Sequence, residues 1–214
     1  MQVEKRMKVH PVTVSPGDSF RHAMTLIRQK GIRHLPVVEG DRLVGIVTDR
    51  DIRQASPSPA TSLEVHELHY LLERVKIREI MTKRVHTVSP NTPIEEAARL
   101  MLHYKIGGLP VLEAGKLVGI ITETDILAAF VELVGIQQQQ TRLELVLEDR
   151  PGAFLEVCRT IQEQGGDIVS VVTATAAHQG QETKVLIFRL EGVAVDPLVK
   201  HIEAGGHTVL SVGS

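Results

Sequence analysis

Gly45-Ile46-Val47-Thr48-Asp49-Arg50-Asp51 and Gly119-Ile120-Ile121-Thr122-Glu123-Thr124-Asp125 are one pattern written twice: glycine, two aliphatics, threonine and, three residues on, aspartate. The copying extends outward at a constant offset of 74. Ser15 answers Ser89, Pro36 answers Pro110, and the matched stretches run from Met7 to Ile52 and from Met81 to Ile126. A repeat without insertions is one supersecondary unit used twice, and such units usually pack as a pair. The glycine interrupts an apolar strand, where it lets something approach the backbone. Threonine and aspartate three apart at a strand-to-helix junction have two readings of equal weight. One is capping of the free N–H groups of the first turn. The other is a diol site: the carboxylate accepts both hydroxyl protons of a ribose, as acidic residues do in dinucleotide folds, and helix N–H groups hold phosphate.

Each repeat reads as β-α-β-β-α. Val12–Val14 and Val85–Val88 are short β segments, followed by the turn and cap signals Ser15-Pro16-Gly17-Asp18 and Ser89-Pro90-Asn91-Thr92. Helices follow, with Ala23, Leu26 and Ile27 on one face and Ala97, Leu100 and Met101 on its counterpart; Gly31 and Gly107 stop them. Leu35–Val38 pairs with Leu43–Thr48 and Leu109–Leu112 with Leu117–Thr122, as hairpins turning at Glu39-Gly40-Asp41 and Glu113-Ala114-Gly115. Asp49–Ala55 and Glu123–Gly135 continue as helices. Between the repeats, after the breaker Ser56-Pro57-Ser58-Pro59, Leu68, Leu71, Leu72 and Val75 recur at helical spacing. That amphipathic helix either covers a core edge or forms a dimer contact.

The pattern changes after Gly135-Ile136-Gln137-Gln138-Gln139-Gln140. Leu143–Leu147, Ile168–Thr175, Val185–Leu190 and Val209–Val212 read as strands. One helix follows the Asp149-Arg150-Pro151-Gly152 turn, presents Phe154, Leu155, Cys158 and Ile161, and ends at Gly165-Gly166; another covers Pro197–Glu203. The order β-α-β-β-α-β is the split βαβ, or ferredoxin-like, pattern.

The 214 residues carry a net charge of −2, no tryptophan and 3% aromatics, which argues against nucleic-acid binding by bulk charge or by stacking. No apolar run has the length of a membrane span, and the first residues lack a signal-peptide core, so a cytoplasmic location is expected. One cysteine, Cys158, excludes an internal disulfide framework and reads as a core thiol. Glu64, His66, Glu67 and His69 lack the H-E-x-x-H spacing of a zinc protease and read as a solvated helix face, so no metal site is expected.

Both repeats resemble CBS domains, and the tandem resembles a CBS pair, or Bateman module. In that family G-h-x-[ST]-x-x-D is the ribose-binding element of a site for adenosine derivatives: AMP, ADP, ATP or S-adenosylmethionine. The resemblance implies two sites. Asp51 and Asp125 would take ribose hydroxyls, with Thr48, Thr122, Thr13 and Thr87 beside them. His34-Leu35-Pro36 and Gly108-Leu109-Pro110 would flank adenine. The copies differ where charge would meet phosphate: Arg33, His34 and Arg50 stand against Gly107, Gly108 and Thr124, with Lys83 and Arg84 as further candidate cations. The ligand on Asp51 is therefore expected to carry more phosphate or to bind more tightly.

Residues 142–214 resemble an ACT domain, a class that commonly binds amino acids or other small metabolites at dimer interfaces near its D-R-P-G turn. That implies Asp149, Arg150, Gly152, Ala153 and Phe154 as ligand contacts, with Asp167, where the family often has Asn, suited to an amine rather than a carboxylate. The alternative is that Pro151-Gly152 only turns the chain and Asp149 only caps the helix.

The expected class is α/β (α+β), with two β-α-β-β-α repeats in one module and a ferredoxin-like βαββαβ domain. The expected division is 1–56 CBS repeat 1, 57–76 connecting amphipathic helix, 77–134 CBS repeat 2, 135–141 Gln-rich linker and 142–214 ACT domain. The arrangement resembles the acetoin-utilisation (AcuB) family, which implies regulation of acetoin or acetate metabolism. The expectation is a non-catalytic regulatory homodimer with adenine nucleotide as regulatory ligand, no catalytic cofactor, and a regulated enzyme as a further partner. The alternatives are a ligand-independent assembly module for an enzyme or transporter, and, ranked last, a nucleotide hydrolase.

Overall fold

The computed structural model describes residues 1–56, 73–135, 140–178 and 181–213. Most of the expected mid-chain helix, the Glu64–His69 cluster and most of the glutamine run lie outside the described residues. The chain divides into two compact units, Met1–Leu127 and Ala128–Ser214.

The repeat is realised as a helix, a hairpin and a second helix, the last of these in repeat two running past the end of the first unit. Repeat one has α1 (Phe20–Lys30), β2 (His34–Glu39), β3 (Arg42–Thr48) and α2 (Asp49–Ala55), preceded by the short β1 (Lys8–Val9). After the short α3 (Ile77–Ile80), repeat two has α4 (Ile94–Tyr104), β4 (Gly108–Glu113), β5 (Lys116–Thr122) and α5 (Glu123–Leu133). Ser19 caps α1 by accepting from the His22 amide, and Gly31 ends it at φ 61°. The structure corrects the stop assigned to Gly107. Helix α4 ends at Lys105, which takes the left-handed conformation (φ 54°) and donates its N–H to the Met101 carbonyl. Lys105 is the true counterpart of Gly31 at the offset of 74, and Gly107 lies two residues beyond. The expected strands Val12–Val14 and Val85–Val88 are also corrected: among their residues only Val14 and Val88 form bridges, parallel ones to Val37 and Val111. With a single bridge each, neither is a strand in its own right.

The hairpins pair in matching registers, Val37 opposite Gly45 and Val111 opposite Gly119, with a register shift after each valine. β3 and β5 pair at Arg42–Lys116. A reciprocal exchange of leader segments joins the repeats further. Lys8 and Val9 pair with Ile120 and Gly119 of repeat two, while Thr82 bridges to Ile46 of repeat one. The Val3 amide donates to the Thr92 carbonyl, and its counterpart Ile77 donates to Asp18. Each repeat thus begins on its neighbour, which explains the signature glycines. A Cβ at Gly45 would lie 2.6 Å from the Met81 sulfur, and one at Gly119 would lie 2.6 Å from the Met7 sulfur.

Apolar periodicity then closes the core. Phe20, Ala23, Leu35, Val37, Val47, Ile52 and Ile77 are buried together in the first repeat. In the second repeat, Ile94, Ala97, Met101, Leu109, Val111 and Ile121 are buried.

The second unit carries β6 (Thr141–Val146), α6 (Ala153–Glu163), β7 (Asp167–His178), β8 (Gln181–Glu191), α7 (Val195–Ala204) and β9 (Thr208–Gly213). The antiparallel sheet has the order β7-β8-β6-β9, the ferredoxin-like arrangement. Leu143 and Leu145 alternate inward and pack with Val157 and Ile161 of α6, Leu198 and Ile202 of α7, and Phe188 and Leu190. On the intervening positions Arg142 pairs with Glu144, which also accepts from Ser211. These two donors, Arg142 first, hold the Glu144 carboxyl below its ordinary value.

Candidate functional site

The end of β3 and the start of α2 set Thr48 and Asp51 face to face. Asp51 Oδ2 accepts from the Thr48 amide at 2.8 Å and from its hydroxyl at 2.7 Å, while the Asp51 amide donates to Thr48 Oγ1 at 3.3 Å. Capping is therefore present. It consumes only one carboxylate oxygen, however, and no described residue donates to Oδ1. Capping and diol binding are compatible, because a carboxylate offers about four lone-pair positions. Repeat two has the same two bonds to its aspartate: Asp125 Oδ2 accepts from the Thr122 amide at 2.9 Å and from its hydroxyl at 2.6 Å.

Asp51 opens into a cleft of about 550 Å³ that draws walls from both repeats. Of the expected residues, Arg33, His34, Thr48, Arg50, Asp51 and Gly108 line it, and so does Arg84. Lys83 does not. Leu35, Pro36, Leu109 and Pro110 are buried in the hairpins, where the Pro36 and Pro110 carbonyls accept from Val14 and Val88. Thr13 is half-buried and Thr87 exposed, and neither lines this cleft. Thr122 and Asp125 belong to the second copy of the motif.

The first-turn amides are largely engaged, since Asp49 N–H goes to the Arg33 carbonyl and Asp51 N–H to Thr48. Phosphate would therefore depend on side-chain cations. The cleft holds more of these than the motif suggests: Arg53 and Lys105 join Arg33, Arg50 and Arg84. Arg53 is tied to Asp49 at 2.7 Å, and the Arg33 guanidinium reaches Thr124 Oγ1 at 3.1 Å. The positions 74 away from Arg33, Arg50, Arg53, Arg84 and Lys105 are Gly107, Thr124, Leu127, His10 and Gly31. None of these carries a permanent charge.

His34 lies against the repeat-two loop. A Cβ on Gly108 would be 3.1 Å from its ring, and one on Gly107 would be 3.3 Å from it. Burial foremost, then Arg33, pushes the His34 imidazole below its usual value, opposed by Asp49, Glu123 and Asp51. His86 and Tyr104 stack at 3.7 Å in the wall of the same cleft. Their counterparts Val12 and Lys30 preclude such a pair in the other copy. Sequence reading missed Tyr104 and Lys105, which lie at a helix end remote from the motif; the constant offset, applied to the surrounding chain, would have drawn attention to them.

In the second unit, Asp149, Arg150, Gly152, Ala153 and Phe154 line a cleft of about 900 Å³ with Thr173, Thr183 and Lys184. Asp167 stands apart, at the start of β7 opposite Glu191. Asp149 does not cap α6: its N-cap is Gly152 (φ 85°), with no side-chain bond. Arg150 binds Glu148 and Glu156 at 2.5 and 2.6 Å, which engages the guanidinium and raises its pKa. Cys158 packs beside the core and is half-buried. Among the described residues no group of acidic, histidine or cysteine side chains is arranged to hold a metal ion, and no helix is long and apolar enough to cross a membrane.

The CBS domain family matches residues 3–58 and 77–132, and the TTHA0829-like ACT domain matches residues 140–213. The chain is a CBS-domain protein. Its CBS repeats are followed by an ACT domain. It is similar to a solved Vibrio cholerae structure provisionally assigned as the acetoin utilization protein AcuB (33% identity, TM-score 0.52, 62% of this chain and 92% of that one). It also resembles the CBS domain pair of protein MJ0100 in complex with 5′-methylthioadenosine and S-adenosyl-L-methionine (30%, TM-score 0.52, 62% and 97%). A third likeness is to CBSX2 in complex with AMP (29%, TM-score 0.53, 62% and 97%). The chain spans 21% of the length of the inosine-5′-monophosphate dehydrogenase of Korarchaeum cryptofilum, with which it shares 40% identity over 116 residues.

Proposed function

We propose that this CBS-domain protein is a non-catalytic sensor of adenosine-containing nucleotides. The observation that carries the reading is Asp51: one oxygen is fixed by Thr48 and the other is open, in a cleft lined by five basic side chains. The open oxygen takes ribose hydroxyls. Arg50 and Arg84, with Arg33 if it leaves Thr124, take phosphate as charge-assisted donors. The His86–Tyr104 pair offers an aromatic face. A triphosphate or diphosphate is favoured here over S-adenosylmethionine, whose sulfonium would meet like charge. The complexes formed by the AMP-bound and S-adenosylmethionine-bound neighbours support adenosine as the common element.

Ligand acts by binding one arrangement of a homodimer more tightly than another. The ACT domain supplies a second metabolite input or a second subunit contact, the regulated target is a cytoplasmic enzyme, and the likeness to AcuB favours acetoin or acetate metabolism. A ligand-independent assembly module is the competing reading.

Thermal-shift screening with AMP, ADP, ATP, S-adenosylmethionine and amino acids tests the proposal. Ligand at about 100 times its Kd stabilises the folded chain by about 2.7 kcal/mol. No shift with any adenosine compound defeats the sensor; a partner complex that is indifferent to nucleotide favours the assembly module.

A further inference from the structure

The two aspartates are held alike but do not face alike. The Lys8 ammonium lies 3.9 Å from Asp125 Oδ1, the oxygen that Thr122 leaves open. The residue 74 positions later is Thr82, which lines the Asp51 cleft and is too short and uncharged to do the same. This placement is fixed by the fold. Lys8 pairs with Ile120 as Thr82 pairs with Ile46, and the neighbouring Met7 is seated on Gly119 as Met81 is on Gly45.

We infer that Lys8 sets the two sites apart: its ammonium stands within ion-pair range of the open oxygen of Asp125, beyond hydrogen-bond distance, and competes there with the hydroxyls of a ribose. The inference rests on the nucleotide reading proposed above and adds the residue that makes one site the weaker. The lysine side chain is 66% exposed and that of Asp125 14%, so water screens the pair and the competition is partial. The second site is weakened, not closed. A ribose must displace a cation at Asp125, whereas no described cation lies within ion-pair distance of Asp51.

The test is calorimetric titration with adenosine and with AMP in an Asp51→Asn chain, which silences the first site while keeping an oxygen for Thr48. Adenosine decides, because it has no phosphate for Lys8 to attract. Lys8→Thr, which installs the residue of the other repeat, should tighten adenosine binding up to about five-fold. Lys8→Gln, of similar length without charge, should do the same, and added salt should shrink both gains. Unchanged or weaker adenosine binding in Lys8→Thr overturns the inference, as does a Lys8→Gln chain that behaves like the parent. If the unaltered chain binds no adenosine compound, the nucleotide reading fails and this inference with it. If it binds at Asp51 but the second site ignores residue 8, only this inference fails.

Discussion

Replacing Gly45 by alanine tests the claim that the signature glycine serves repeat pairing before it serves a ligand. The new methyl would lie 2.6 Å from Met81 Sδ, 3.1 Å from its Cγ and 3.2 Å from the Thr82 carbonyl oxygen. Those separations are well inside van der Waals contact. Met81 is flexible but half-buried, and the Thr82 carbonyl is held by the Ile46 amide at 3.0 Å. The cost is therefore that of overpacking, about 1–3 kcal/mol, less roughly 0.5–1 kcal/mol regained by removing glycine from a strand. A net loss near 1–2 kcal/mol lowers Tm by roughly 2–8 °C in a chain of this size. Urea unfolding followed by far-ultraviolet circular dichroism reads it. The deciding measurement repeats Gly45→Ala in a Met81→Ala background. With the sulfur gone, the penalty should fall by about 1 kcal/mol or more, a coupling typical of residues in contact. An equal cost in both backgrounds would refute the leader-exchange explanation. Gly119→Ala with Met7→Ala should repeat the result in the other copy.

Asp51→Ala removes the acceptor for both Thr48 donors and should destabilise the chain by about 1–2 kcal/mol in chemical unfolding without ligand; no loss would mean that the cap is dispensable. Because burial lowers the His34 pKa in the folded chain, its contribution to stability is present above the unfolded value of about 6.5 and is lost as pH falls through the lower folded value. Unfolding free energies between pH 7.5 and 5 should accordingly fall more steeply for the parent than for His34→Gln; parallel curves would contradict this. Burial pushes the Cys158 thiol up, so iodoacetamide at pH 8 should react more slowly with the folded chain than with the urea-unfolded one, as read by mass spectrometry; equal rates would contradict this.

Much of this architecture was legible because two copies check one another. Periodicity placed α1, α2 and both hairpins, and Thr-x-x-Asp marked the strand-to-helix junction. The α4 stop expected at Gly107 departs from the register of the two copies, which points to Lys105. Glycine composition outweighed register there, and Lys105 tolerates a left-handed backbone that side chains seldom adopt. The strands expected at Val12–Val14 and Val85–Val88 failed for another reason. Of their valines only Val14 and Val88 are buried, each with a single bridge, and β-branched composition reports burial on a pleated surface as readily as it reports a strand. In the cleft, Asp51 and Arg50 were visible from the motif, whereas Tyr104, Lys105 and Arg53 were not. A cleft between repeats gathers residues from segments with no local signal of shared purpose.

The sequence by itself determined that one unit is used twice, that an ACT-like β-α-β-β-α-β segment follows, and that each repeat carries a threonine–aspartate pair. These are local matters of hydrophobic period, turn chemistry and spacing. Only the tertiary structure decided that each repeat's leader packs on its neighbour, that capping leaves one aspartate oxygen open, and that Lys8 faces that oxygen in one copy alone. The physical reason is reach. Lys8 and Asp125 are brought together by strand pairing across the repeats, and no pattern confined to neighbouring residues records which side chain will stand opposite a carboxylate more than a hundred residues away.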